Sequence, residues 1–182
     1  MKSALIIIDI QNDYFPGGKM ELEGSLQASI KAKEVLASFR KRNLPVIHIQ
    51  HFSIRPGATF FIPGTPGVEI HKNVVPLTGE VVIKKNYPNS FRDTTLLDQL
   101  KREGIEHLVI AGMMTHMCVD ATTRAAFDFG FTCTVLQDAC ATRTLKLNDK
   151  IIPAEYVHNA FLSALNSTYA KVIKADELSP LI

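Results

Sequence analysis

Cysteine is scarce in this chain, neither charge sign is in excess, and no long apolar run is present. The three cysteines, Cys118, Cys133 and Cys140, are odd in number and without paired spacing. That excludes a disulfide framework and a zinc knuckle as organising elements, and fits a reducing compartment. The formal charge is only +2, and the basic cluster at Arg40, Lys41 and Arg42 is too small to form a nucleic-acid-binding face. The apolar run that opens the chain is too short for a signal core and is closed by Asp9, and no run reaches the length of a membrane span. A cytoplasmic protein without nucleic-acid or membrane partners is expected. There is no internal repeat and no low-complexity tract. What remains, 46% hydrophobic and 21% charged residues over 182 positions, is ordinary for a single domain spanning residues 1–182.

Strand-like and helix-like segments alternate. Extended runs are predicted at Ala4–Ile8, Val46–Ile49, Val81–Ile83, His107–Ala111, Thr132–Leu136 and Lys171–Ile173. Helices are predicted at Leu26–Arg42, Thr94–Glu103, Val119–Phe129 and Pro153–Leu165. Asp93 is a plausible cap for the second helix, and Gly104 and Gly130 are plausible stops. The pattern predicts an α/β fold, a three-layer α/β/α sandwich around a mainly parallel six-stranded sheet. Proline and glycine break any period between His51 and Gly79, so residues 51–79 read as a long irregular loop, either a lid or a subunit contact. The Phe60–Phe61 pair within it is expected to line a pocket or an interface.

In an open parallel sheet, ligands bind beyond the carboxyl ends of the strands. Asp9 follows the first strand, Lys84 and Lys85 close the third, and Cys118 follows the fourth across a tight turn into a helix. A helix start offers unpaired N–H groups and a positive dipole end, which stabilise a thiolate and any oxyanion beside it. Cys118 is therefore the candidate nucleophile, with a buried structural cysteine as the plainer reading. Asp9, at the end of an apolar strand, suits a proton acceptor, and a nearby lysine suits an electrostatic partner. Read plainly, Asp9 is a turn residue and the lysine a surface charge.

The order and surroundings of these residues resemble the isochorismatase-like cysteine hydrolase family. Asp9-Ile-Gln-Asn-Asp-Tyr14, Lys85-Asn-Tyr-Pro-Asn-Ser-Phe91 and Gly112-Met-Met-Thr-His-Met-Cys-Val119 are similar to its opening, lysine and nucleophile motifs, with Asp138-Ala-Cys-Ala141 and His158 following. The resemblance implies the Rossmann-like isochorismatase-like hydrolase fold and a catalytic set of Asp9, Lys85 and Cys118, which selects Lys85 over Lys84. It also implies a cis peptide between Met113 and Met114 that aims the amides of Met114 and Cys118 at an oxyanion. Thr115 is expected to support that turn. The implied reaction is cleavage of a carbon–nitrogen bond, amide or carbamoyl, in a small-molecule substrate. Asp9 takes the thiol proton, a thioester forms, and the same carboxylate activates water. Asn12, Tyr14, Phe15, Phe60, Phe61, Phe91 and His116 are the expected substrate-binding residues. A homo-oligomer, dimer or tetramer, is also implied.

Family members that hydrolyse nicotinamide carry a metal site after the second strand. The matching stretch, His48-Ile-Gln-His-Phe-Ser53, lacks the acid, and two histidines three apart in a strand face opposite ways. No metal and no cofactor are expected; His48 reads as a strand residue and His51 as facing the pocket. A vinyl-ether hydrolase of the isochorismatase type, a metal-assisted nicotinamidase and a redox-sensitive binding protein are the alternatives. A retained Cys118 favours carbon–nitrogen cleavage over the first. Cys133 and Cys140 are assigned to packing, and Asp138 to capping a turn.

Overall fold

The computed structural model describes residues 1–178. Six strands form one parallel sheet: β1 (Ser3–Ile8), β2 (Val46–His51), β3 (Val81–Lys85), β4 (His107–Met113), β5 (Thr132–Ala141) and, after a short hairpin, β8 (Lys171–Ile173), in the order β3-β2-β1-β4-β5-β8. The hairpin strands are β6 (Leu145–Leu147) and β7 (Lys150–Ile152). The helices are α1 (Ser25–Lys41), α2 (Leu96–Arg102), α3 (Asp120–Asp128) and α4 (Ala154–Thr168).

β1 shows why the sheet is parallel and covered on both sides. Every residue of Ser-Ala-Leu-Ile-Ile-Ile is buried, as a strand must be when helices pack on each face. Leu5 and Ile7 join a core with Ala28, Ala32, Leu36 and Phe39 of α1, whereas Ala4, Ile6 and Ile8 pack with Leu96 and Leu100 of α2, Ala126 of α3 and Leu162 and Leu165 of α4. The three layers follow from this alternation along a two-residue period. Gly104 and Gly130 both take positive φ just beyond α2 and α3 and end them.

Three local expectations are corrected. Asp93 does not cap α2; it adopts a φ of 55°, the N-cap is Thr95, and the Thr94 hydroxyl accepts from the Leu96 amide instead. Helical structure before α3 begins earlier than Val119, because Thr115–Val119 forms a π-helical turn that runs directly into α3. The β6–β7 hairpin was not predicted, since its strands are too short to show a period; Asn148, at a φ of 53°, marks its turn.

Two contacts set the limits of tolerance. At Gly112 in β4 the φ is 143°, and an added Cβ would lie 2.1 Å from the Ile8 carbonyl oxygen of β1. Gly112→Ala is expected to destabilise the fold by about 3 kcal/mol or more, measured by urea unfolding. On the other side of the sheet, Arg40 at the end of α1 donates to Glu80 at 2.7 Å, and His48 Nε2 lies 2.9 Å from the same carboxylate. The Arg40 hydrogen bond holds the Glu80 carboxyl down at about 2, against 4.5 ordinarily. Because the folded value is depressed, this contribution is present above pH 4.5 and is lost as the pH falls toward 2. Glu80→Gln should cost about 1–3 kcal/mol at neutral pH and flatten the acid limb of a stability–pH curve.

Candidate active site

Four adjacent strands deliver four side chains to one place. In sheet order, Lys85 ends β3, His51 ends β2, Asp9 follows β1, and Cys118 sits in the turn after β4. The β1/β4 boundary is where the chain's winding reverses, the position at which open α/β sheets form their crevice.

Asp9 leaves β1 at a φ of 52°, a left-handed conformation that aspartate tolerates better than most residues. Its Oδ2 lies 2.8 Å from Lys85 Nζ, and both side chains are wholly shielded from solvent. Burial opposes ionisation of Asp9, but the Lys85 ammonium and His51 more than offset it, so the carboxyl sits below its usual value. Burial likewise opposes the Lys85 charge, and Asp9 with Cys118 raises its pKa regardless. Two of the three ammonium protons go to the carbonyls of Tyr87 and Pro88 at 3.1 and 3.0 Å, so the lysine motif supplies its own cradle and leaves one proton for the site. Lys84, by contrast, lies over the Phe52 ring. Neither Asp9 oxygen has a well-directed hydrogen-bond donor among the described residues, although Oδ2 is held by charge. The unpartnered Oδ1 leaves a lone pair at which the carboxylate can receive a proton.

Cys118 is 3% exposed. Burial, and then the Asp9 charge, pushes its thiol above the ordinary value, while Lys85 works in the opposite direction. The ligand atoms of Asp9, His51 and Cys118 all lie within 4.8 Å of one another. Those three donor types could hold a metal ion, but the Lys85 ammonium already contacts the same Asp9 oxygen and lies 3.4 Å from His51 Nδ1, where a cation would sit. The set does not fit a divalent ion. His48 is directed to Glu80 and takes no part. The Met113–Met114 peptide is cis, and the Thr115 hydroxyl bonds His158 Nδ1 of α4 at 2.9 Å, bracing the turn that carries the sulfur.

The opening motif fastens the 51–79 loop over this centre. The fully buried Gln11 side chain donates to the carbonyls of His51 and Val68 at 2.9 and 2.7 Å and accepts from the His51 amide at 2.7 Å. Asp13 accepts from the amides of Phe61 and Lys19 at 2.6 and 3.1 Å. Phe61 is held at a φ of 55°, unusual for a bulky residue, and is fully buried. The absence of a side chain at Gly67 leaves room for the Asp13 carboxylate, since a Cβ would come within 2.1 Å of it. The loop's aromatic pair thus packs on its own chain.

Of the expected substrate-binding residues, Tyr14, Phe60 and Phe61 converge. Tyr14 lies 4.5 Å from Phe61 and 5.9 Å from Phe60, centroid to centroid, and Phe61 lies 5.9 Å from His51. Burial, followed by Cys118 and Asp9, pushes the Tyr14 phenol well up. The others do not converge there. Asn12 donates to the Pro66 carbonyl as a further loop tether, because its side chain points along the loop. Phe15 stacks on His71 at 3.6 Å. Phe91 packs on Phe129 and Phe131 in the core behind the site. His116 turns to Thr142 and Phe161. Cys133 and Cys140 are buried, with their thiols pushed up to about 12 by burial. The Asp138 carboxylate accepts from the Ala175 amide and caps the turn after β8. A cavity of about 630 Å³ at the start of β4 and β5, lined by His107, Cys133 and Tyr169, is remote from this chemistry.

The class of protein is an α/β enzyme built on a parallel sheet whose strand ends gather an acid, a lysine and a cysteine. The sequence matches the isochorismatase domain over residues 3–177, and the chain belongs to the isochorismatase family. It is 53% identical to the isochorismatase family protein YddQ of Bacillus subtilis over 94% of this chain and 96% of that one. It is 30% identical to a maleamate amidohydrolase of Pseudomonas putida, covering 78% of this chain and 73% of the other. The crystal structure of an isochorismatase hydrolase from Oleispira antarctica superposes with a TM-score of 0.93 at 48% identity, covering 97% of this chain and 95% of that one. The chain is accordingly an isochorismatase-family hydrolase whose relatives include amidohydrolases. No helix among the described residues is long and apolar enough to cross a membrane.

Asp13→Ala should leave the buried Phe61 amide without a partner and cost about 1–3 kcal/mol. Limited proteolysis is expected to cut the variant within residues 53–67 at protease levels that spare the parent.

Proposed function

We propose that the protein hydrolyses a carbon–nitrogen bond, amide or carbamoyl, of a small molecule through a thioester on Cys118. The observation that carries this reading is the convergence of Asp9, Lys85 and Cys118, with the carboxylate open to a proton and the ammonium fixed beside it. Asp9 accepts the thiol proton, and the sulfur attacks the carbonyl carbon. The oxyanion rests on the amides of Met114 and Cys118. Collapse breaks the C–N bond, the leaving amine takes the proton from Asp9, and water then hydrolyses the thioester. Tyr14, Phe60 and Phe61 would wall the acyl portion.

A redox sensor needs an exposed thiol of low pKa; this one is enclosed and pushed up. Metal-assisted nicotinamide hydrolysis would need more donors than His51, and His48, within β2, is directed to Glu80 instead. The maleamate amidohydrolase relative is named for amide cleavage, which supports the carbon–nitrogen reading over vinyl-ether chemistry.

Cys118→Ala, checked for retained circular dichroism, is expected to lower turnover by about 1,000-fold or more and to abolish any covalent adduct seen by mass spectrometry. The assay is a panel of primary amides, carbamoyl compounds and isochorismate, read for ammonia or pyruvate. Ammonia release that survives in the variant rejects the scheme, and pyruvate release from isochorismate alone assigns the vinyl-ether reaction instead.

A further inference from the structure

We propose that His51 is a catalytic residue of the second half-reaction, the base that takes the proton from the water attacking the thioester. This rests on the cysteine-hydrolase reading above and adds to it a group that the Asp9, Lys85 and Cys118 set does not contain.

His51 Nδ1 lies 3.9 Å from Cys118 Sγ, 3.7 Å from Asp9 Oδ2 and 3.4 Å from Lys85 Nζ, so one ring nitrogen meets all three. An ammonium has protons to give and no lone pair. Facing an ammonium, the ring nitrogen can act only through a lone pair, and the Nε2–H tautomer is the form of His51 that presents that lone pair to Lys85 and the sulfur together.

Exposure separates the roles of the two candidate bases. The Asp9 and Lys85 side chains are wholly enclosed, while that of His51 is 15% exposed. Asp9 is placed to serve the thiol; His51 both contacts the sulfur and reaches solvent, so a water from outside can meet it there. Its backbone is held at both ends of the peptide, the amide donating to Gln11 Oε1 and the carbonyl accepting from Gln11 Nε2. A strand-end residue gripped twice by one buried amide is held for aim, and Gln11 is its positioning residue.

The step balances without any further reagent. Water gives one proton to His51 Nδ1 and its oxygen bonds to the thioester carbon. The tetrahedral adduct collapses with cleavage of the C–S bond. The sulfur leaves as thiolate and recovers the proton from the imidazolium, which restores the neutral ring and the thiol and releases a carboxylic acid.

The test uses p-nitrophenyl acetate, whose leaving group needs no protonation, with the parent, His51→Gln, His51→Ala and Cys118→Ala compared by stopped flow and intact mass. The glutamine variant keeps an acceptor for Lys85 but cannot carry a proton. Both His51 variants should release about one p-nitrophenolate per chain at a near-parental rate and then turn over about 100-fold more slowly, with the acetyl adduct accumulating. Added imidazole should restore turnover in His51→Ala. Steady-state turnover of His51→Gln within about twofold of the parent overturns the proposal. So does loss of the first p-nitrophenolate in a variant that keeps the parent's circular dichroism, since that would place His51 in acylation. A Cys118→Ala protein with a parental burst overturns the cysteine-hydrolase reading itself, whatever the His51 variants do.

Discussion

The contact between Asp9 and Lys85, 2.8 Å apart with both side chains sealed from solvent, is the constraint around which the rest is arranged. Desolvating two charges costs several kcal/mol per ion, and only close mutual attraction with well-placed partners returns it. The sheet supplies the closeness. β1 and β3 are separated by β2 alone, so residues at their ends meet across one strand, and the Tyr87 and Pro88 carbonyls complete the ammonium's partners. Had Lys85 been one residue earlier, the two-residue alternation of a strand would have turned it to the other face, where Lys84 in fact lies against Phe52.

The same economy explains the opening motif. Asp9 enters the site as the proposed proton acceptor, while Gln11 and Asp13 hold the loop beside it: Gln11 through His51 and Val68, Asp13 through Phe61 and Lys19. Alternate residues of one short segment thus serve the reaction and its cover. The cover is aromatic and tight, with Phe61 fully buried against Tyr14 and Cys118 almost closed off. The left-handed conformation at Phe61 marks where the loop is held against its own backbone preference.

Much of this was legible in the residues, and the exceptions have physical causes. Buried parallel strands advertise themselves as continuous apolar runs, so β1 could be placed within one residue and β4 within two. Asp9 and Cys118 followed from strand ends, but the choice of Lys85 over Lys84 came from the family resemblance, since adjacent lysines carry no period. The pocket residues were less legible. Phe91 and Phe15 are aromatic neighbours of motif residues that pack elsewhere, because an aromatic side chain serves a core as well as a pocket. Asn12, expected to bind substrate, donates to the Pro66 carbonyl of the loop, a partner 54 residues along the chain. His51 could be read as facing the pocket, but its approach to the sulfur depends on the grip of Gln11, a contact across 40 residues that no local pattern encodes.

Charge accounting connects the buried pair to the reaction. Before attack the enclosed groups are a carboxylate, an ammonium and a neutral thiol, with a sum of zero. In the proposed reaction the proton moves from sulfur to Asp9, leaving a neutral acid, an ammonium and a thiolate, and the sum is again zero. A thiol pushed up by burial could not ionise alone in such a place, but here ionisation only exchanges one anion for another beside a fixed cation. The ammonium need not move, because its partners hold it between the two positions that the negative charge occupies in turn. In the proposed reaction an enclosed site would therefore generate its thiolate without admitting water to solvate it.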